Sequence, residues 1–140
     1  MGFSTLNEWL EFQQGINPKE IDLSLERVKT VFERLQINIP EKNVFLIGGT
    51  NGKGTTCRLL EQAMLSQGKS VAVYSSPHLT DYRERVRYNG ELPPANEFVK
   101  AFEFVEKSRK ETEGDPITLT YFEFGTLAAM KMMQSWEVDV

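Results

Sequence analysis

The sequence predicts an α/β domain of three layers, with helices on both faces of a mostly parallel sheet. Three observations lead there. Two short apolar runs, one from about Asn43 to Ile47 and one over Val71-Ala72-Val73-Tyr74, have the length and make-up of strands buried on both faces. The stretch between them has helical spacing, with Cys57, Leu60, Ala63 and Met64 on one side and a stop at Gly68. A glycine-rich turn, Gly48-Gly49-Thr50-Asn51-Gly52-Lys53-Gly54, joins the first run to that helix. Strand, turn, helix and strand in this order form a βαβ unit, whose strands run parallel.

Composition narrows the class. The chain has 140 residues, 40% hydrophobic and 26% charged, which suits one soluble domain with a real core. A net charge of -4 argues against a non-specific nucleic-acid binder. Cys57 is the single cysteine, so no internal disulfide can form, and a reducing cytoplasm is the natural setting. Cys57 itself reads as a small buried hydrophobe rather than a nucleophile. No apolar run approaches the roughly 18 residues of a membrane span. The start, Met1-Gly2-Phe3-Ser4, lacks the regions of a secretion signal.

The elements follow in chain order. Thr5-Leu6-Asn7-Glu8 is a capping box for a first helix to about Gln14, with Trp9, Leu10 and Phe12 on its apolar side and Gly15 past its end. Asn17-Pro18 breaks the pattern. A second helix starts near Asp22 or Ser24, with Leu25, Val28, Val31, Phe32 and Leu35 at helical spacing. Residues 4–36 thus form a helical N-terminal segment. Asp22 has two readings, a helix N-cap and a substrate contact. Pro40 then closes a loop.

The turn after the first strand carries the chemistry. Backbone N–H groups and the positive end of a helix dipole converge there, and phosphate is the ligand that fits. Gly49, Gly52 and Gly54 let the backbone approach closely, Lys53 adds a charge, and Thr55 or Thr56 can offer a hydroxyl to Mg²⁺. The spacing departs from the common G-x-x-x-x-G-K-[ST] loop: Ile47 stands at the first glycine and Gly54 follows the lysine. The plainer alternative is a glycine-rich turn with a solvated lysine.

Ligands of parallel sheets bind beyond the carboxyl ends of the strands, which puts Ser75, Ser76 and His78 on the same edge as Gly49 to Thr55. Ser76 reads either as a hydroxyl near a phosphate-bridging Mg²⁺ or as a strand-end cap. His78, the one histidine, either meets substrate or phosphate or orders its loop, and a lone histidine cannot build a multi-histidine zinc site. Arg83, Arg85 and Arg87 alternate with Glu84 and Val86 ahead of Asn89-Gly90, a hairpin signal that puts the three arginines on one face. That face is solvated or clamps an anion.

Pro93-Pro94 ends the hairpin, and Asn96 can cap a helix with Phe98, Phe102 and Val105 inward. Lys107 to Gly114 reads as a charged surface linker. Leu119-Thr120-Tyr121-Phe122-Glu123 leads into a helix bearing Leu127, Ala128, Met130 and Met133. Its entrance suits N-terminal capping, and also suits stacking a flat ligand on Tyr121 or Phe122. Val138-Asp139-Val140 begins a further strand, which a domain boundary rarely cuts.

Gly49-Thr50-Asn51-Gly52-Lys53-Gly54-Thr55 resembles the nucleotide loop of the ATP-dependent amide ligases that include the Mur ligases and folylpolyglutamate synthases. Tyr74-Ser75-Ser76-Pro77-His78-Leu79, and Glu84-Arg85-Val86-Arg87 with Asn89-Gly90, resemble the segment after the second strand in folylpolyglutamate synthase. Ile21-Asp22-Leu23 with Leu25-Glu26-Arg27-Val28, and Leu119 to Thr126, resemble the bacterial bifunctional dihydrofolate synthase/folylpolyglutamate synthases. The resemblance covers nearly the whole chain. Family members are much longer, so residues 1–140 are expected to be the front part of their P-loop-type, Mur ligase-like ATPase domain.

The resemblance implies an ATP- and Mg²⁺-dependent ligase joining L-glutamate to dihydropteroate or to folates through an acyl phosphate, cytoplasmic and monomeric. Lys53 would be catalytic, Gly49 to Thr55 would hold nucleotide, and Ser76 and Thr55 would assist the metal. Ile21, Asp22, Leu23, His78, Arg85, Thr120, Tyr121, Phe122 and Glu123 would meet substrate. The family's acidic metal ligand, downstream histidine, modified lysine and second domain have no counterpart here, so this chain alone is expected to bind nucleotide weakly and not to turn over. A P-loop kinase or NTPase, and a non-catalytic nucleotide-binding domain, are the alternatives.

Overall fold

The computed structural model describes residues 2–17, 24–39, 43–111 and 114–140. They fall into two units: Met1–Asn38 with Ala95–Met132, and Ile39–Pro94 with Met133–Val140.

The first unit is helical. Helix α1 (Leu6–Ile16) opens on the expected capping box: Thr5 Oγ1 accepts from the Glu8 N–H at 3.3 Å, and Glu8 Oε2 accepts from the Thr5 N–H at 2.9 Å. It runs through Gly15 rather than stopping before it. Helix α2 (Glu26–Arg34) buries Val31 and leaves Leu25, its N-cap, 73% exposed. Of the two expected α2 starts, Asp22 lies outside the described residues, as does the loop at Pro40, and Ser24 precedes the helix, which begins at Glu26. Helix α4 (Ala95–Lys110) and helix α5 (Tyr121–Trp136) through Met132, reached further along the chain, complete the unit.

Their core is aromatic. Trp9, Phe98, Phe102 and Phe124 are all buried; Trp9 and Phe102 have ring centroids 5.9 Å apart, and Phe102 and Phe124 5.7 Å. Burying each such ring contributes about 1.5–3 kcal/mol by area, and edge-to-face geometry adds roughly 0.5–1.5 more. The tract from Lys107 was expected to be a surface linker. Instead α4 continues to Lys110 and buries Ser108 and Arg109. Arg109 donates to Glu106 Oε1 at 2.9 Å and to the Ile117 carbonyl at 3.3 Å, and lies 5.7 Å over the Phe12 ring. A long stem on an apolar surface with a paired head can be buried where sequence charge alone suggests solvent.

The second unit is built around helix α3 (Lys53–Ser66) and two strands, β1 (Ala72–Tyr74) and β2 (Val86–Tyr88). β1 and β2 pair antiparallel, with Ala72 opposite Tyr88, Val73 opposite Arg87 and Tyr74 opposite Val86. The expected first strand, Asn43 to Ile47, forms no ladder, and Leu46 is 97% exposed. The expected parallel partner of β1 within the βαβ unit is therefore not paired among the described residues. A parallel contact forms elsewhere: the Val140 N–H donates to the Ser70 carbonyl at 3.1 Å, and the Ala72 N–H to the Val140 carbonyl at 2.9 Å. Those two bonds are the pattern of a parallel bridge around Val71.

The Asn89-Gly90 turn is present, with φ of 49° and 82°, the left-handed pair that a tight hairpin turn needs. It closes a bridge between Tyr88 and Glu91. Asn89 also bonds Val71 twice, through its N–H and its side-chain oxygen, each at 2.8 Å. Helix α3 covers its apolar side only partly: Cys57, Leu60 and Met64 are half-buried and Ala63 is exposed. Its buried residue is Glu61. No helix among the described residues is long and apolar enough to cross a membrane.

Candidate functional site

Gly52 caps α3 with φ 78° and ψ 3°, a left-handed conformation that L side chains rarely adopt, and no side chain caps the helix. The first turn holds no acidic residue. The first intrahelical bond runs from the Thr56 N–H to the Gly52 carbonyl at 2.9 Å, so the N–H groups of Lys53, Gly54 and Thr55 precede the ladder. Residues 48–56 are exposed throughout. Open N–H groups at the positive end of a 14-residue helix are the arrangement that suits an anion. Lys53 lies within it, its ammonium donating to the Gly49 carbonyl of the same loop.

The two hydroxyls differ. Thr56 Oγ1 donates back to the Gly52 carbonyl at 3.0 Å, a bond within the helix turn. Thr55 is exposed, as Thr56 is. Ser76 is exposed, next to a cis Ser76–Pro77 bond. Among the described residues no group of three or more His, Cys, Asp or Glu could hold a metal ion.

The three arginines do not share a face. Residues Tyr82–Arg85 coil into a 3-10 helix, which breaks the two-residue period of a strand. Asp81 and Glu84 cap that turn reciprocally. Each arginine takes its own acceptor. Arg83 pairs with Asp81 at 2.8 Å, Arg87 with Glu61 at 3.0 Å, and Arg85 Nε donates to His78 Nδ1 at 2.8 Å. The Arg85 guanidinium also stands 5.4 Å over the Tyr82 ring, and its carbonyl accepts from the Ser75 N–H at 2.9 Å.

Glu84 holds the corner together. Its carboxylate accepts from the N–H groups of Leu79, Thr80 and Asp81 at 2.7–3.0 Å and from the Thr80 hydroxyl at 2.8 Å. Those donors, the Leu79 N–H foremost, pull its pKa down to about 2. The Arg83 guanidinium beside Asp81 lowers that carboxyl as well.

In the first unit, the entrance of α5 is a second capping box. Glu123 Oε2 accepts from the Thr120 N–H at 2.8 Å, and Thr120 Oγ1 from the Glu123 N–H at 3.1 Å. Arg27 reaches across from α2 to Glu123 Oε1 at 3.2 Å and to the Thr118 carbonyl at 3.0 Å. Thr120 and Glu123 are buried, Tyr121 is half-buried and Phe122 is 50% exposed. The capping reading thus accounts for Thr120 and Glu123, and the rings that could stack on a ligand are Tyr121 and Phe122. Ile21, Asp22 and Leu23 lie outside the described residues.

Two anchoring residues escape a reading of the sequence. Glu84 was legible in principle, as the fourth residue of an Asp-x-x-Glu box ahead of Val86. Glu61 was not: its carboxylate, with 0% side-chain exposure, binds Arg58 at 2.8 Å and Arg87 at 3.0 Å, and Arg87 is 26 residues away.

No family model matches the chain. It is 46% identical over 137 residues to the dihydrofolate synthase/folylpolyglutamate synthase of Escherichia coli, covering 98% of this chain and 31% of that protein. The Haemophilus influenzae protein of the same name is 44% identical over 137 residues. The chain spans about a third of the length of these curated relatives. Among solved structures, Escherichia coli FolC in complex with DHPP and ADP has a TM-score of 0.90 at 44% identity, over 98% of this chain and 32% of that one. The bifunctional enzyme of Yersinia pestis with AMPPNP and Mn has a TM-score of 0.88 at 44% identity, over 98% and 32%.

Proposed function

Because this chain belongs to the dihydrofolate synthase/folylpolyglutamate synthase family, we propose that it carries the phosphate-holding part of an ATP-dependent ligase. The reaction adds L-glutamate to dihydropteroate, to folate polyglutamates, or to both, through an acyl phosphate. Relatives bind ADP with DHPP, and AMPPNP and L-glutamate with Mn. The observation that carries the reading is the open N-terminus of α3, with Gly52 left-handed, no acidic residue in the first turn and Lys53 at its head.

The residues suit a nucleotide triphosphate with Mg²⁺. The loop N–H groups hold phosphate oxygens, and Lys53 exchanges its contact with the Gly49 carbonyl for them. Bound Mg²⁺ would neutralise phosphate charge, with Thr55 and Ser76 as hydroxyl donors beside phosphate oxygens and water. Arg85 holds the negative charge of the carboxylate or phosphate being transferred. Tyr121 and Phe122 offer ring faces to the pterin, with Ile21, Asp22 and Leu23 as further contacts and Thr120 and Glu123 shaping the helix entrance. Most of the catalysis is alignment and charge stabilisation.

The same reading extends to the fold: a three-layer domain whose mostly parallel sheet includes Asn43 to Ile47 as a strand. The parallel bridge at Val71 and the exposed apolar row Val44-Phe45-Leu46 support it.

The test is a chimera in which residues 1–140 replace the matching third of the Escherichia coli enzyme. Dihydropteroate- and glutamate-dependent ADP release is expected from the chimera and not from the 140-residue chain. ADP release indifferent to both acceptors would favour a P-loop NTPase instead.

A further inference from the structure

His78 and Arg85 are joined by a hydrogen bond in which the histidine accepts and the arginine donates. Arg85 Nε–H reaches His78 Nδ1 at 2.8 Å, which requires a neutral ring with its proton on Nε2. Tyr82 backs both partners. Its ring is nearly buried, lies 5.4 Å under the guanidinium, and meets the imidazole edge-on at 5.6 Å and 64°. The main chain is fixed at both ends of this triangle, by the Ser75 N–H on the Arg85 carbonyl and by Glu84 on the N–H groups of residues 79–81. A flexible arginine is thereby held at one height and in one plane over an aromatic platform. Flanking charges have their own bonds: Asp81 is taken by Arg83, and Glu84 by the backbone of Leu79 to Asp81.

We propose that His78 is a positioning residue that acts through Arg85 and touches neither substrate nor phosphate. Its Nδ1 acceptor orients the guanidinium for an anion. The proposal rests on the reading of Arg85 as an anion contact.

Two measurements test it separately. As the single histidine, His78 gives one pair of ring ¹⁵N signals in the 140-residue chain. The expected spectrum shows the Nε2–H tautomer, altered in Arg85→Ala; an Nδ1–H tautomer would overturn the pairing. In the chimera, Arg85→Ala and His78→Ala are each expected to lower kcat/KM about ten- to a hundred-fold, the scale for a hydrogen bond to a charged group. The two losses should not add. His78→Asn, whose side-chain oxygen sits near the place of Nδ1, should recover activity to within about threefold. Additive losses, or no recovery in His78→Asn, would mean that His78 meets the ligand itself. A silent Arg85→Ala would refute the anion role of Arg85 and leave the tautomer to decide the pairing.

Discussion

The two units are held together by different forces. The helical unit closes a core of Trp9, Phe98, Phe102 and Phe124, each at most 1% exposed. The unit bearing the phosphate loop buries Val71, Tyr82 and Val86 but leaves Val44, Phe45, Leu46, Leu59 and Leu79 between 58% and 97% exposed. What joins its pieces is largely polar: Glu61 with Arg87 and Arg58, Glu84 with three N–H groups, and Asn89 with Val71. The difference teaches where tolerance lies. Apolar burial is diffuse and resists point changes elsewhere, whereas a polar tie depends on a few atoms and fails when one is removed.

That contrast can be broken or sharpened by experiment. The largest effect is expected in the aromatic core: Phe124→Ala should destabilise the chain by about 3–5 kcal/mol in denaturant unfolding. A loss below about 1 kcal/mol would mean that this core is not what holds the first unit. Next comes Glu61→Ala, expected at about 3 kcal/mol, the low end for breaking a buried pair, because Arg58 is half in solvent. Glu61→Leu should recover part of that loss only if Arg87 finds solvent, and a neutral Glu61→Ala would remove the polar tie from the account.

Lys53→Ala in the chimera should leave stability unchanged and lower turnover by about 100-fold, the scale for one preorganised charge-stabilising group. A change under about threefold would take Lys53 out of the mechanism. Acid separates the units more gently. Glu84 has a depressed folded pKa, so its contribution is complete above the ordinary carboxylate range, about 4.5, and is lost as pH falls toward about 2. Amide exchange at Leu79 to Asp81 should therefore accelerate across that window while the α1 and α4 amides change less, and Glu84→Gln should flatten the difference. Smallest of all is Leu46→Ser, expected within about 0.5 kcal/mol because the side chain is 97% exposed. A larger loss would show Leu46 buried in solution.

Much was legible beforehand because it depends on near neighbours. The Thr5–Glu8 box, the Asn89-Gly90 turn, the Phe98–Phe102–Val105 face and the glycines around Lys53 all arise within one or two turns of chain. Local patterns misled where the period was cut short. Arg83, Arg85 and Arg87 alternate on paper, but Asp81 and Glu84 cap a 3-10 turn that sends them to three separate acceptors. Lys107 to Lys110 look solvated in composition, yet Arg109 finds Glu106, Ile117 and Phe12.

By itself, then, the order of residues determined the capping box of α1, the hairpin turn and the glycine-flanked lysine at the head of α3, since each follows from backbone sterics and local hydrogen bonding. Only tertiary structure decided that Glu61 is buried against Arg87, that His78 accepts from Arg85, that β1 pairs antiparallel with β2, and that Val140 approaches Ser70 and Ala72. Those contacts join positions from 7 to 70 residues apart or depend on a turn that had to form first, and the fold alone supplies that proximity.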